Sequence, residues 1–186
     1  MDSFEQLVSE ILWIQGYWVR TSFKVELTKA EKREIGRPSN PRWELDIVAY
    51  KARENLLQVV ECKSYLDSTG VSFSSFKKSS KPTKGSYKLF NEPKLQEVIF
   101  RALARQLADQ GACRPGPTIK LALACGKIRN PDRENLKDYF KDNKWKLWDE
   151  SWLCRHLVKM SEGSYENQVS AVVSKILLRN QLKNKG

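Results

Sequence analysis

Apolar and polar positions recur along the chain with two different periods, which together predict an α/β protein. Helical spacing of apolar residues predicts amphipathic helices over residues 3–15, 94–110 and 165–182. Short runs rich in β-branched and aromatic residues predict strands over residues 17–27, 45–50, 56–60, 118–125 and 144–148. Shorter helices are expected at residues 131–142 and directly after Asp149, which can cap the second of them.

The two central apolar runs flank a polar step at residues 51–55 and together predict a β-hairpin. Antiparallel pairing brings Asp46 opposite Glu61 or Cys62. Because successive strand side chains point to opposite faces, Glu61 and Lys63 share one face and Cys62 lies on the other. Two carboxylates and a lysine therefore converge at one end of a strand pair, the arrangement expected of a divalent-metal site with a cation beside it.

Three acid-x-Lys triplets occur in the chain, at residues 61–63, 92–94 and 142–144. Only the first ends an apolar strand and has an acid, Asp46, on a partner strand. The second contains a proline, which interrupts strand pairing, and the third follows a predicted helix. Since a short motif carries information only through its structural context, the first triplet is the candidate site.

Two predicted helices carry polar residues at or beside their apolar faces. Glu5 borders the stripe of the first helix, where it is either solvated or able to reach a site at the sheet edge. Gln106 lies on the apolar face of the 94–110 helix, and a satisfied core amide is its commoner role. Arg101 and Arg105 lie one turn apart on a neighbouring face, where they are positioned to contact phosphate.

The chain carries a net charge of +11, which favours polyanionic partners such as nucleic acid. Residues 64–93 form a long segment of Ser, Lys and Gly, and residues 28–42 are expected to be a mobile loop. Lysines of the long segment can follow phosphates while its aromatic rings stack on bases; alternatively, it is a flexible insertion pinned to the body by those rings. The lysines are Lys77, Lys78, Lys81, Lys84 and Lys88, and the rings are Phe73, Phe76, Tyr87 and Phe90.

The length of 186 residues predicts a single domain over 1–186, with an insertion at about 64–93 and a C-terminal helix at about 165–182. No apolar run approaches a membrane span of roughly 18 residues, and no secretory signal is visible. Four dispersed cysteines without a CxxC argue against zinc and favour a reducing, cytoplasmic setting.

These motifs resemble those of the PD-(D/E)XK nucleases, and the nearest branches are the archaeal Holliday-junction resolvases and the Mrr-type restriction nucleases. The resemblance covers about residues 3–125, and residues 144–157 resemble the strand and helix that close Mrr-type domains. It implies the restriction-endonuclease-like αβββαβ core, a mixed sheet flanked by helices, with extra C-terminal helices. The motifs that carry it are Phe4-Glu5-Gln6-Leu7-Val8, Gly16-Tyr17, Asp46-Ile47-Val48-Ala49 and Glu61-Cys62-Lys63.

By this resemblance the chain is expected to be a metal-dependent endonuclease that hydrolyses DNA phosphodiester bonds. Asp46, Glu61 and the backbone carbonyl of Cys62 would ligate Mg²⁺ or Mn²⁺. Lys63 would orient a water or offset phosphate charge, and Glu5 would assist. A homodimer is expected because cutting both strands usually needs two sites. The alternatives are a catalytically silent DNA-binding module of the same fold and an RNA-processing nuclease.

Overall fold

A five-stranded mixed sheet forms the centre of the molecule, and its strands lie in the order in which they occur in the chain. The computed structural model describes residues 2–39, 42–76, 87–163 and 168–183, with side chains described through residue 179. The first three strands pair antiparallel, and the last three pair parallel. The strands are β1 (Trp18–Glu26), β2 (Arg42–Lys51), β3 (Leu56–Lys63), β4 (Thr118–Cys125) and β5 (Lys146–Trp148).

Helices cover both faces of the sheet, so the molecule is an α/β protein, as the residue patterns predicted. The helices are α1 (Ser3–Ile14), α2 (Lys29–Glu34), α3 (Lys88–Asn91), α4 (Pro93–Asp109), α5 (Arg133–Asp142), α6 (Glu150–Glu162) and α7 (Val169–Lys183). Short 3₁₀ turns lie at Ala52–Glu54, Phe73–Phe76 and Asn130–Asp132. Among the described residues, no helix combines the length and hydropathy needed to cross a membrane.

Two apolar clusters hold these layers together, one on each face of the sheet. The apolar sides of α4 and α5 pack on one face, against alternate residues of β3 such as Leu57 and Val59. Helices α1 and α6 pack on the other face, against the intervening residues Val60 and Cys62. The predicted opposite orientation of Cys62 is thus confirmed, and its thiol is free and buried. Burial on both faces also explains why β3 and β4 are almost continuously apolar.

Residues 28–42, expected to be a mobile loop, instead contain the helix α2. A capping box begins this helix: the Thr28 hydroxyl accepts a hydrogen bond from the Glu31 N–H, and the Glu31 carboxylate accepts one from the Thr28 N–H at 2.8 Å. The Thr-x-x-Glu spacing of such a box is visible in the sequence. The charges of the segment, with Gly36, Pro38 and Pro41 after them, favoured a loop instead.

The aromatic rings of the 64–93 segment belong to the protein core, so the expectation that they stack on bases is wrong for the rings as a group. Phe76 is completely buried, with ring centroids of Tyr87 at 4.5 Å, Phe90 at 5.6 Å and Phe140 at 5.2 Å. Phe73 packs edge-on against another ring of α5. Offset and edge-on pairs of this kind add to the stabilisation from buried area. The alternative interpretation, rings that pin the segment to the body, describes these residues.

Helix α7 turns its most apolar stripe outward, contrary to the usual orientation of an amphipathic helix. It docks through small residues instead: Ala171 and Ser174 are buried, and the Ser170 hydroxyl donates to the carboxylate of Glu10 in α1. Small side chains let two helix backbones approach closely, which explains this choice of face. The exposed stripe consists of Val169, Val172, Val173, Ile176 and Leu177.

Candidate active site

The candidate site lies at a fork where two neighbouring strands separate. The β2–β3 ladder runs from the hairpin turn as far as the pair Ile47–Val60 and goes no further. Beyond that point β2 stays paired with β1 and β3 stays paired with β4. The next two opposed residues, Asp46 and Glu61, therefore stand at the vertex of an opening instead of within a ladder. The predicted register is confirmed.

Lys63 draws the two carboxylates of the fork together. Its Nζ lies 3.2 Å from Glu61 Oε1 and 3.9 Å from Asp46 Oδ2. Asp46 Oδ2 also accepts a hydrogen bond from the Cys62 N–H at 2.8 Å. This bond replaces the missing ladder contact, because the backbone donor of a separating strand still needs an acceptor. The fork thus holds Asp46 by the backbone of β3 and by the lysine.

Tyr87 holds the other carboxylate in place. Its backbone N–H donates to Glu61 Oε1 at 3.3 Å, and its buried ring has its centroid 6.0 Å from the Lys63 Nζ. To make both contacts Tyr87 adopts a left-handed backbone with φ of 69°. Such a conformation is uncommon for a residue other than glycine and costs on the order of 1 kcal/mol, so the surrounding core must impose it.

Burial and the neighbouring charges set the protonation of the site. Burial raises the pKa of Glu61 above its ordinary value, and the positive charge of Lys63 offsets only part of that effect. Burial alone would lower the pKa of Lys63, but the charges of Glu61 and Asp46 outweigh it, so this pKa is raised. Lys63 is therefore a fixed cation at neutral pH, while Glu61 binds a proton more readily than an ordinary glutamate.

Glu5 serves first as a structural cap of α1. Its carboxylate accepts a hydrogen bond from the Asp2 N–H at 3.3 Å, and the Asp2 carboxylate accepts one from the Glu5 N–H at 2.8 Å. The pKa of Glu5 is raised by burial first and then by the negative charges of Asp46 and Asp2. Glu5 is thus close enough to Asp46 for the two carboxylates to repel each other.

The donors at the fork are oxygens, which suit a hard divalent cation. The described residues contain no group of three or more His, Cys, Asp and Glu side chains that could hold a metal. Two carboxylates do converge on one cation at the fork, and the Cys62 thiol is buried away from them. Mg²⁺ is commonly held by one or two carboxylates and keeps several waters. Asp46 and Glu61 therefore fit such an ion, although a richer cage is not present there.

The predicted phosphate-contacting residues have three different outcomes. Lys88 lines a cleft beside Asp46 and Glu61. Arg101 and Arg105 are instead held by α2: Arg101 lies 2.6 Å from Glu34 Oε2, and Arg105 contacts both carboxylate oxygens of Glu31, at 2.6 and 3.1 Å. Both arginines thus brace α2 against α4, and their predicted contact with phosphate stays a prediction. Four further predicted contacts lie outside the described residues: Lys77, Lys78, Lys81 and Lys84.

Sequence reasoning missed the positioning role of Tyr87 and the place of Trp43 in the cleft. The sequence showed each of them only as an aromatic residue. No local pattern indicates that a tyrosine adopts a left-handed backbone conformation or that a tryptophan lies beside a fork. Gln106, by contrast, is the satisfied amide expected: its Oε1 accepts from the Glu26 N–H at 3.0 Å, and its Nε2 donates to the Lys24 carbonyl at 3.3 Å. It braces the outer edge of β1, away from the fork.

No protein-family model matches this chain, and no curated protein or solved structure matches it either. The function is therefore inferred from the residues of the fork and from their geometry.

Proposed function

We propose that the chain is a metal-dependent endonuclease that hydrolyses DNA phosphodiester bonds, with a restriction-endonuclease-like core of the PD-(D/E)XK kind. The observation that carries the proposal is the convergence of Asp46 and Glu61 on Lys63 at the strand fork. The order of the longer elements, α1–β1–β2–β3–α4–β4 with the short helices α2 and α3 between them, supports it, as does the net charge of +11. The net positive charge of the protein attracts a polyanion such as DNA. The two carboxylates of the fork can bind the metal ion that assists phosphodiester hydrolysis.

Asp46 and Glu61, with the Cys62 carbonyl, would hold Mg²⁺ or Mn²⁺. Such an ion supplies Lewis acidity that favours attack of water on phosphorus and offsets the negative charge of the phosphate. The chain's own contribution is orientation: the Cys62 N–H fixes Asp46, and the Tyr87 N–H fixes Glu61. Both carboxylates are thereby held in place before any ligand arrives, which lowers the entropic cost of assembling the site.

Lys63 acts in this proposal as an electrostatic group. Its raised pKa keeps the ammonium charged at neutral pH, so it is a poor proton acceptor. A fixed ammonium can donate hydrogen bonds to a phosphate oxygen or to the attacking water and stabilise charge as it develops. Its present contacts with Glu61 and Asp46 show that its side chain reaches the centre of the fork.

Nicking of supercoiled plasmid with Mg²⁺ or Mn²⁺ tests the activity. Asp46→Asn and Lys63→Met should each reduce nicking by at least about a hundredfold, as expected when a transition-state electrostatic contact is lost. Both variants should keep DNA binding, because the net positive charge is almost unchanged. Asp138→Asn, an exposed acid of α5, is the control and should cleave like the wild type.

Thermal melting gives a readout that does not depend on cleavage. Mg²⁺ should raise the melting temperature of the wild type, since a ligand that binds only the folded state stabilises it. The increase should disappear in Asp46→Asn. Full nicking activity in both Asp46→Asn and Lys63→Met would refute the site, whereas DNA binding without nicking under any metal would favour the silent DNA-binding alternative.

A further inference from the structure

The strand fork opens into a cleft that has a tryptophan and a lysine beside the carboxylate pair of the vertex. The cleft has a volume of about 160 Å³, room for about five waters at roughly 30 Å³ each. One wall comes from the start of β2, including Trp43, and the other from β3 and the start of α3, including Lys88. Asp46 and Glu61 line it as well. A ligand bound at the carboxylates would therefore lie beside Trp43 and Lys88.

Lys88 is the cation of this cleft. Its Nζ lies 6.0 Å from the centroid of the Trp43 ring, and no carboxylate in the described ranges lies within ion-pairing distance of it. Neighbouring cations differ: Lys94 is 2.6 Å from Glu34 Oε1, and Arg37 forms two hydrogen bonds with Glu92 at 2.9 and 2.8 Å. Lys88 is therefore able to bind an anion without first breaking a protein ion pair.

Trp43 presents a ring that the core holds in place. It packs partly against the apolar cluster on the α4 face, and the guanidinium of Arg37 lies 5.4 Å from its centroid. The Arg37–Glu92 ion pair fixes that guanidinium to the junction of α3 and α4. An aromatic face held in this way can stack on a nucleobase with little loss of entropy, and stacking tolerates any base.

We propose that this cleft is the subsite for the nucleotide next to the phosphodiester at the carboxylates, with its phosphate on Lys88 and its base against Trp43. The inference rests on the proposed function, since it assumes that a nucleic-acid strand passes the fork. It adds Trp43 as a base contact and gives the predicted phosphate contact of Lys88 a place beside the carboxylates. The negative charges of Asp46, Glu61 and Glu44 line the same cleft, so the positive charge of Lys88 favours the entry of a phosphate.

The test measures binding of a fluorescently labelled 20-base-pair duplex, and of one of its strands, by anisotropy between 50 and 200 mM salt. EDTA is present so that no bond is cut. Lys88→Gln should remove one phosphate contact, so the slope of log affinity against log salt should fall by about 0.9 for the duplex. Between 50 and 200 mM salt, the affinity of Lys88→Gln should therefore fall about 3.5-fold less than the affinity of the wild type. Lys94→Gln makes the same change at an ion-paired lysine and should leave the slope unchanged.

Trp43→Leu should weaken binding of the single strand roughly fivefold or more at every salt concentration, with no change in slope. Trp43→Phe keeps an aromatic face and should restore most of the affinity. Melting curves show that each variant is folded before it is compared.

The outcomes separate the subsite from the proposed function. Wild-type protein that binds neither probe at 50 mM salt would overturn both. Wild-type binding with an unchanged slope in Lys88→Gln, or with equal slope changes in Lys88→Gln and Lys94→Gln, would overturn the subsite alone. Single-strand binding by Trp43→Leu that is as tight as that of the wild type would also overturn the subsite alone.

Discussion

The ion pair between Glu31 of α2 and Arg105 of α4 yields a prediction whose size can be worked out from the structure. The Glu31 side chain is only 7% exposed, and both of its carboxylate oxygens contact Arg105. The hydrogen bond from Arg105, with that from the Thr28 N–H, outweighs burial and lowers the pKa of Glu31 from 4.5 to about 2. Glu31→Gln keeps the shape and the Thr28 cap but removes the charge.

A pKa lowered by this amount corresponds to about 3 kcal/mol, at 1.36 kcal/mol for each pKa unit. Arg105 is 43% exposed, so solvent screens the pair and the effective loss is smaller. We expect Glu31→Gln to lower the free energy of unfolding by about 1–2 kcal/mol at pH 7. Because the folded-state pKa is depressed, the stabilisation is present above about pH 4.5 and is lost as the pH falls toward 2.

Urea denaturation of wild type and variant at pH 7, 4.5 and 3 measures this difference. The two proteins should differ most at pH 7 and converge toward acid pH. Glu34→Gln, in the same helix but with more exposed partners, is the matched control and should change stability much less. Equal stability of Glu31→Gln and wild type at pH 7, or a difference that persists undiminished at pH 3, would refute the reasoning.

Two further predictions concern the core and the last helix. Phe76→Ala should cost about 3–5 kcal/mol in urea denaturation, because the ring is completely buried among other rings; a loss below about 1 kcal/mol would show that residues 73–76 do not pack as described. In α7, Ile176→Gln should change the free energy of unfolding by less than about 0.5 kcal/mol, since Ile176 is exposed. Ala171→Leu should cost about 1–3 kcal/mol by overpacking the helix contact, and the reverse order of these two effects would mean that α7 docks by its other face.

The positions of the strands along the chain and the register of the hairpin could be predicted because both depend on local information. Alternation along β3 is a property of any extended chain, so the shared face of Glu61 and Lys63 follows from their spacing. The hairpin turn is short, so antiparallel pairing leaves little freedom in the residue opposite Asp46. Helix α2 could have been predicted in the same way, from the Thr-x-x-Glu box at its start.

Contacts between segments distant in the chain could not be predicted. Arg105 and Glu31 are 74 residues apart, and nothing near either one indicates the other. The apolar spacing of residues 165–182 predicted an amphipathic helix, but the close approach allowed by Ala171 and Ser174 determined which side of α7 docks. For the same reason, the aromatic residues of the 64–93 segment looked available for ligands until their partners in α5 were known.

By itself, the sequence determined an α/β chain with a basic charge, a central hairpin, and an acid-x-lysine triplet opposite a second acid. Those features depend on residue type, spacing and short turns, which act over a few residues. Tertiary structure alone decided that β2 and β3 separate at Asp46, that Tyr87 reaches Glu61 through a left-handed backbone, and that Lys88 faces a cleft. The physical reason is that a fork and its walls are made by packing between distant segments, and packing depends on shape complementarity that no local pattern encodes.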